Sequence, residues 1–438
     1  MINCIFLTMI LLIILIFNLK IYKNDVVEPA IIFNSSFLIS SFVLIFAATK
    51  WKVDISMITV LTITFSVILF SFMCYCLKNF FNKNQTINKQ DSKENTQKET
   101  INIKNWLLIS YAVFSLLIVI LNVYFTVKAV DGDFKHIGAA LYKFRNYTLR
   151  YKYELNFPPI IDMLGGIIHA SSYYFMYIII NNYIVNKKVN ILLIIIVIIT
   201  SFSTVLDGTR GAIINIILSF IPLFYILYYK HNGKKFKVNR KVLIIFSILC
   251  IIFLTQFQKT ALILGRSDAK EFDNTDYVYI YLGAPIYNLD SFLNQEIIDE
   301  KYIGIHTFSS IYDEFGNFTP ENTQSFRTLN GNNIGNVYTI LFDFICDGKF
   351  IGLLLGIILM ASISQIIYET INKKIIEKKD ISKPNILILI YAYIFGGLVF
   401  AFFGNKFFTQ IFNTGVIKYI LLWCILNFIL FRKKRYLK

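Results

Sequence analysis

Long, continuous apolar runs limit the folds open to this sequence. A membrane-spanning helix needs about 20 apolar residues to cross roughly 30 Å of hydrocarbon. Backbone polar groups in lipid must pair within the protein, so such runs favour helices, and their lack of polar alternation excludes a transmembrane barrel. The sequence therefore predicts an all-α polytopic integral membrane protein, one membrane domain over 1–438, with eleven spans: 2–19, 28–48, 55–77, 106–127, 161–184, 189–206, 211–229, 242–263, 350–368, 385–403 and 408–431.

The charge distribution predicts how these helices are oriented. Most of the 43 Lys and Arg residues lie in segments that share one side of the membrane with the C-terminus. Because positively charged short loops stay in the cytoplasm, we predict a cytoplasmic C-terminus and an N-terminus outside. The net charge of +16 is scattered over separate loops, so the pattern predicts no nucleic-acid partner.

Two of the hydrophilic segments have distinct compositions. The segment 78–105 is rich in Lys, Asn and Gln without apolar periodicity, which predicts a flexible cytoplasmic loop. The segment 128–160 lies outside the cytoplasm in this topology. In it, Arg145 and Arg150 alternate with tyrosines, a pattern typical of a helix at the level of the lipid headgroups.

The segment 265–349 is the largest predicted extracytoplasmic loop and is acidic and rich in aromatic residues. Its stretch 277–292 is apolar but too short for a confident span, which predicts a re-entrant or surface helix lining a cavity. A membrane protein with one such loop is expected to act on a molecule on that side. We therefore predict the active-site region here.

The cysteines and histidines give no sign of a metal site. The six cysteines lack zinc-binding spacing, and the four histidines are not clustered. No metal and no other cofactor is predicted.

Three arginines are candidates for binding an anion. Arg210 lies between two predicted spans, Arg266 at the end of another, and Arg327 deep in the large loop. A guanidinium stays protonated and binds phosphate bidentately. The competing interpretation is that Arg210 and Arg266 anchor helices at the membrane surface and that Arg327 is solvated. Arg145 and Arg150 are candidates for substrate binding, and the same anchoring role is open to them.

Acid–base candidates occur near the middle of the large loop. His306, Asp313 and Glu314 have side chains that could deprotonate a sugar hydroxyl. The competing interpretation is that each is an ordinary surface group.

Five short segments, in order along residues 200–405, carry a resemblance to a known family. Together they resemble the oligosaccharide repeat-unit polymerases of O-antigen and capsule synthesis, the Wzy-type family. They are Thr209-Arg210-Gly211, Tyr281-Leu282-Gly283-Ala284-Pro285, Gly304-Ile305-His306-Thr307-Phe308, Gly335-Asn336-Val337-Tyr338-Thr339 and Gly348-Lys349-Phe350-Ile351-Gly352.

The resemblance implies an enzyme of the bacterial cytoplasmic membrane. Its substrate would be an oligosaccharide on undecaprenyl diphosphate in the outer leaflet, polymerised by metal-independent glycosyl transfer. A flippase and a chain-length regulator would be its partners. Arginines would stabilise the diphosphate leaving group. Aromatic and polar side chains would bind sugar, with Tyr281, Tyr287, Asp290, Tyr312 and Tyr338 as the candidates.

Other functions fit part of the pattern. A lipid-linked oligosaccharide flippase would also be polytopic and basic inside, but the odd span count and the absence of an internal repeat argue against it. An O-antigen ligase would use the same donor with a different acceptor. A signalling or structural membrane protein would not need arginines at the edges of its helices.

Overall fold

The computed structural model describes residues 1–83, 99–150, 153, 155–207, 210–236, 256, 258–259, 262, 274–316, 318–376 and 382–431. Helices form nearly all the regular structure in these ranges. They are α1 (Ile2–Ile21), α2 (Pro29–Trp51), α3 (Met57–Lys83), α4 (Asn105–Ala129), α5 (Ile137–Arg145), α6 (Pro159–Asn186), α7 (Ile191–Ser203), α8 (Gly211–Asn232), α9 (Asn274–Val278), α10 (Ala284–Leu293), α11 (Ser309–Phe315), α12 (Ile340–Ile376), α13 (Ile386–Val399), α14 (Lys406–Ile411) and α15 (Thr414–Phe431). A hairpin of β1 (Arg327–Leu329) and β2 (Asn332–Gly335) precedes α12.

The predicted all-α polytopic membrane architecture is confirmed. Within the described ranges, eight helices are long and apolar enough to cross a bilayer, namely α1, α2, α3, α4, α6, α8, α12 and α15. Helices α7 and α13 are apolar but shorter. The predicted span 242–263 lies almost wholly outside the described ranges, so the total of eleven spans stays a prediction.

Contacts divide the chain into two compact units. Unit 1 is Met1–Glu94, Thr275–Ile376 and Ile394–Asn413, and unit 2 is Asn95–Asn274, Glu377–Tyr393 and Thr414–Lys438. Each unit therefore combines segments that are far apart in the sequence. The apolar runs alone did not predict this division.

In unit 1, the stretch predicted as a re-entrant or surface helix is helical and largely buried. It consists of α9, a π-helical turn at Tyr279–Gly283, and α10. The Ser40 hydroxyl of α2 donates to the Leu282 carbonyl oxygen over 2.6 Å. A Cβ atom at Gly283 would lie 3.2 Å from Ala47 Cβ, so glycine allows the two backbones to approach. This packing fixes α10 against α2.

Helix α12 starts inside the predicted loop 265–349, at Ile340 rather than at residue 350. It is interrupted at Gly348 and Lys349, where Lys349 has a φ of 52°. After the break, a Cβ at Gly352 would lie only 2.2 Å from the Phe344 carbonyl oxygen. The break separates a short first segment, which contains Asp343 and Asp347, from the long apolar part of α12. The apolar run alone predicted only the latter.

In unit 2, buried polar side chains join helices of widely separated sequence. The Trp423 indole of α15 donates to the Ala170 carbonyl oxygen of α6 over 2.8 Å. The Asn181 amide oxygen lies 2.8 Å from Nε2 of His231, on α8. These contacts satisfy polar groups that would otherwise be costly to bury in an apolar bundle.

The predicted loop 78–105 is ordered at both of its ends. Its first residues continue α3 to Lys83, and 84–98 lie outside the described ranges. At its other end, Asn182 Oδ1 accepts from the Ile101 amide over 2.8 Å, and Asn182 Nδ2 donates to the Ile101 carbonyl over 2.9 Å. A paired side-chain amide therefore holds this end against α6. In the predicted loop 128–160, the expected helix is present as α5.

Candidate active site

The candidate site of unit 1 is built by the end of α10, the β1–β2 hairpin and the start of α12. The hairpin turns at Asn330 and Gly331, whose φ angles are 46° and 78°. Asn-Gly is the residue pair that best accommodates two positive φ angles in a two-residue turn. The Asn330 side chain also donates to the Trp51 carbonyl oxygen over 2.8 Å. The turn therefore places Arg327, at the start of β1, at a fixed position beside α10.

Arg327 is half-buried and its guanidinium is held by uncharged groups. Its Nε donates to the Tyr338 hydroxyl over 2.7 Å, and Nη2 donates to Gln295 Oε1 over 3.0 Å. Nη1 donates to the Ser291 hydroxyl. Across the described parts of the chain, no carboxylate lies within 4.0 Å of this guanidinium. Its position is thus fixed while its charge is not neutralised, which suits binding of an anion.

His306 is buried between two carboxylates. Its Nε2 lies 2.7 Å from Glu300 Oε1, and its Nδ1 lies 3.8 Å from Asp343 Oδ1. The imidazole is 7% exposed. Asp343 Oδ2 is buried and makes no hydrogen bond to any described residue. An ionised Glu300 can only accept, so Nε2 carries the proton and Nδ1 is the nitrogen left to take up another.

Glu300 is kept ionised by its surroundings. It accepts from the backbone amides of Glu321 and Asn322 over 2.8 and 2.9 Å, and from the Asn322 side chain over 2.7 Å. Burial raises the pKa of Glu300, but these bonds and the one from His306 outweigh burial, and its pKa lies below the usual value. An anionic Glu300 orients His306 in the manner of the carboxylate in a catalytic triad.

The turn that carries His306 is clamped from both sides. Asp347 accepts from the backbone amides of His306 and Thr307 over 2.9 and 2.7 Å. Asn405 Nδ2 donates to the carbonyl oxygens of the same two residues over 3.0 and 2.9 Å. Gly304, with a φ of 77°, starts the turn, and a Cβ there would lie 2.9 Å from the Phe308 ring. These contacts fix the backbone on both sides of the imidazole and so hold its position.

Aromatic rings connect Arg327 to His306. The Arg327 guanidinium lies 5.8 Å from the centre of the Tyr338 ring. The Tyr338 ring is 4.6 Å from that of Phe342, which in turn lies 5.7 Å from the His306 imidazole. Three of the predicted site residues therefore belong to one packed cluster.

The other predicted residues of unit 1 occupy different settings. Tyr287 is half-buried, and burial and the charge of Asp290 raise its pKa while the charge of Arg327 opposes this. The Tyr281 ring stacks on that of Phe403 at 5.8 Å. The Tyr312 hydroxyl donates to the Ile303 carbonyl oxygen over 2.7 Å. Asp313 and Glu314 are exposed on α11. Their predicted roles stay predictions.

Asp290 is engaged within the protein. Its Oδ1 accepts from the Ser56 amide and hydroxyl over 2.7 and 2.6 Å, and from the Thr59 hydroxyl over 2.7 Å. This carboxylate therefore anchors the start of α3. The loop composition pointed to sugar binding and gave no sign of this second role.

Four of the predicted arginines, Arg145, Arg150, Arg210 and Arg266, belong to unit 2. Arg210 precedes the first residue of α8 and is 8% exposed, so its charge is held in a buried position. Arg145 is the last residue of α5. The side chain of Arg150 and the whole of Arg266 lie outside the described parts of the structure.

Sequence reasoning missed the residues that position His306. Glu300 was one carboxylate among many in an acidic loop. Asp343 had a better signal, because it stands in the otherwise apolar run Ile340-Leu341-Phe342-Asp343-Phe344, where an ionisable group is unusual. In the described ranges, no group of three or more His, Cys, Asp or Glu side chains is arranged to hold a metal ion. Comparison of the chain with protein-family models, curated proteins and solved structures found no match.

Proposed function

We propose that this protein polymerises oligosaccharide repeat units carried on undecaprenyl diphosphate, at the outer leaflet of the bacterial cytoplasmic membrane. The observation that carries the proposal is Arg327, a positioned guanidinium whose partners in the described structure are Tyr338, Ser291 and Gln295, all uncharged. The multi-pass helical architecture supports it, because it places the protein in the bilayer where a lipid-linked substrate lies. The resemblance of five sequence segments to Wzy-type polymerases supplies the reaction.

In the proposed reaction, an acceptor hydroxyl attacks the anomeric carbon of the growing chain. The bond between that carbon and the diphosphate oxygen breaks, and undecaprenyl diphosphate leaves with the electron pair. Negative charge therefore develops on the leaving group, where a preorganised cation has its largest effect on rate. We assign this role to Arg327 in unit 1, and the roles that the resemblance implies for Arg210 and Arg266 stay predictions. No metal is required in this scheme.

The acceptor hydroxyl must lose its proton as the new bond forms. We assign proton uptake to His306, because Glu300 fixes one ring nitrogen as a donor and leaves Nδ1 facing Asp343. A base oriented by a carboxylate is a recurrent arrangement in enzymes. Tyr287 is half-buried and feels the charge of Arg327, so its ring can meet a sugar. Tyr338, predicted to bind sugar, is only 1% exposed and instead positions Arg327.

A deletion strain tests the function directly. If the proposal is correct, the strain makes lipid-linked single repeats on the outer leaflet and no long polymer, and the intact gene restores the polymer. Single repeats confined to the cytoplasmic leaflet would instead indicate a flippase. Polymer that is made on undecaprenyl diphosphate but never attached to its final acceptor would indicate a ligase.

A further inference from the structure

A cavity of about 420 Å³ lies within unit 2 and takes no part in the site described above. Helices α4, α6 and α15 line it, together with the turn that follows α7. The wall is mostly apolar but contains the side chains of Lys418, His169 and Asp162. A mainly apolar cavity with a few polar groups is the usual form of a small-molecule site.

Lys418 supplies the positive charge in this cavity. It lies in the first turns of α15, an otherwise apolar helix. No hydrogen bond or ion pair joins its side chain to any residue that the structure describes, and Asp162 on the same wall is more than 4.0 Å away. An ammonium in an apolar membrane helix is costly unless it is solvated or meets an anion.

His169 adds a second polar group to the wall. Its Nδ1 lies 2.7 Å from the Tyr419 hydroxyl oxygen. Its Nε2 is shielded from solvent and has no hydrogen-bond partner among the described residues. When the tyrosine donates to Nδ1, Nε2 carries the proton and becomes a donor.

The remainder of the wall fits a hydrocarbon chain. Leu421 and Ile425 line the cavity from α15 and are 56% and 51% exposed. Gly166, on α6, has no atom within 4 Å of the place where its Cβ would stand. The cavity therefore has open space beside its polar groups and continues along an exposed apolar surface.

We propose that this cavity binds the phosphate of a membrane lipid. Lys418 and His169 hold the phosphate, Asp162 accepts a hydrogen bond from a hydroxyl or ammonium of the headgroup, and the chain lies along Leu421 and Ile425. The shared ligand chemistry is a phosphate ester with a long hydrocarbon chain. Both a glycerophospholipid and an isoprenoid phosphate have it. The site does not depend on glycosyl transfer, since lipid binding is measured without any sugar.

Binding to the delipidated, full-length protein in detergent tests the proposal. The probes are dioctanoyl phosphatidylglycerol, farnesyl monophosphate, dioctanoylglycerol (which has no phosphate) and inorganic phosphate (which has no chain). We expect saturable binding of at least one of the two lipid phosphates, and the tighter one identifies the type of chain. We expect both the uncharged lipid and inorganic phosphate to bind at least ten-fold more weakly.

Two variants locate the site. Lys418→Gln should weaken binding of the lipid phosphate by about ten-fold or more, since hydrogen bonds to charged groups are the stronger ones. Gly166→Leu should fill the cavity and abolish binding. Lys188→Gln, just beyond the opposite end of α6, is the matched control and should bind as the wild type does. Unchanged affinity in Lys418→Gln, or equal affinity for dioctanoylglycerol, would overturn the proposal even if Gly166→Leu failed to fold.

Discussion

The imidazole Nε2 of His306 lies 2.7 Å from Oε1 of Glu300, six residues earlier in the chain. The same carboxylate accepts from the amides of Glu321 and Asn322, so one buried anion joins two parts of the polar segment. Glu300 therefore orients the histidine and also holds the loop that carries it.

Glu300→Gln should lower both the activity and the acid stability of this region. The amide keeps the shape but supplies an NH₂ group where Glu300 accepts hydrogen bonds. We expect polymer synthesis to fall by at least ten-fold, with faster hydrogen exchange around 296–322. Because the pKa of Glu300 is lowered, its contribution is present above the usual glutamate pKa and is lost as pH falls through the lowered value. Glu296→Gln, an exposed neighbour, is the control and should retain both properties.

A second set of buried charges should make unit 1 less stable as pH rises. Glu28, just before α2, pairs with Lys78 over 3.0 Å and accepts from Gln365 over 2.7 Å. Burial, together with the charges of Asp25 and Glu369, raises the pKa of Glu28 to about 7. The folded state then holds a proton that the unfolded state releases, so stability should fall between the usual glutamate pKa and about pH 7.

Thermal unfolding of the detergent-solubilised protein from pH 4.5 to 8 measures this effect. The melting temperature should decline over that interval, and Glu28→Gln should flatten the decline. A wild-type melting temperature that rises steadily across the same interval would contradict the assignment.

Asp290→Ala should destabilise the start of α3. It removes three hydrogen bonds to one carboxylate oxygen. A hydrogen bond to a charged group contributes about 1.5–3 kcal/mol to stability. The three contributions do not add in full, because all three bonds share the cost of burying one carboxylate. We expect a loss of about 2–3 kcal/mol in the free energy of unfolding, with a smaller loss for Asp290→Asn. A variant with unchanged stability but altered polymer length would show that sugar binding is the main role of this residue.

Arg210→Ala should abolish polymerisation while the protein still accumulates in the membrane. Loss of one donor to a developing anion costs about 3–4 kcal/mol, or roughly a hundred- to thousand-fold in rate. Arg210→Lys should be less damaging, because lysine keeps the charge but loses the bidentate fork. Polymer of wild-type length from well-expressed Arg210→Ala would rule out the proposed role of this residue.

The long apolar helices of this fold were predictable from the sequence because each follows from a local apolar run. The same reasoning placed a helix within 277–292, which the structure shows as a π-helical turn and α10. The start of α12 was not predicted, because Asp343, Asp347 and the break at Gly348 interrupt the apolar pattern, and the continuous apolar run begins only after the break.

The candidate site was predicted only in part, for a physical reason. Arg327 and His306 stood out by residue type, since few side chains carry a permanent charge or titrate near neutral pH. Their partners Glu300, Asp343 and Asn405 depend on contacts between distant segments, which one sequence does not specify. Asp290 was predicted to bind sugar from the polar and aromatic composition of its segment. In the structure its carboxylate anchors the start of α3, a role that composition does not distinguish from sugar binding.

The most direct test of the account is the polymer made by Arg327 variants in a strain that lacks the wild-type gene. Arg327→Ala should leave only lipid-linked single repeats on the outer leaflet, and Arg327→Lys should give little polymer, since lysine cannot reproduce the fork held by Tyr338 and Gln295. Lys301→Ala, an exposed cation of the same segment, is the control and should make wild-type polymer. Full-length polymer from Arg327→Ala, at wild-type protein levels, would contradict the claim that this guanidinium stabilises the leaving group.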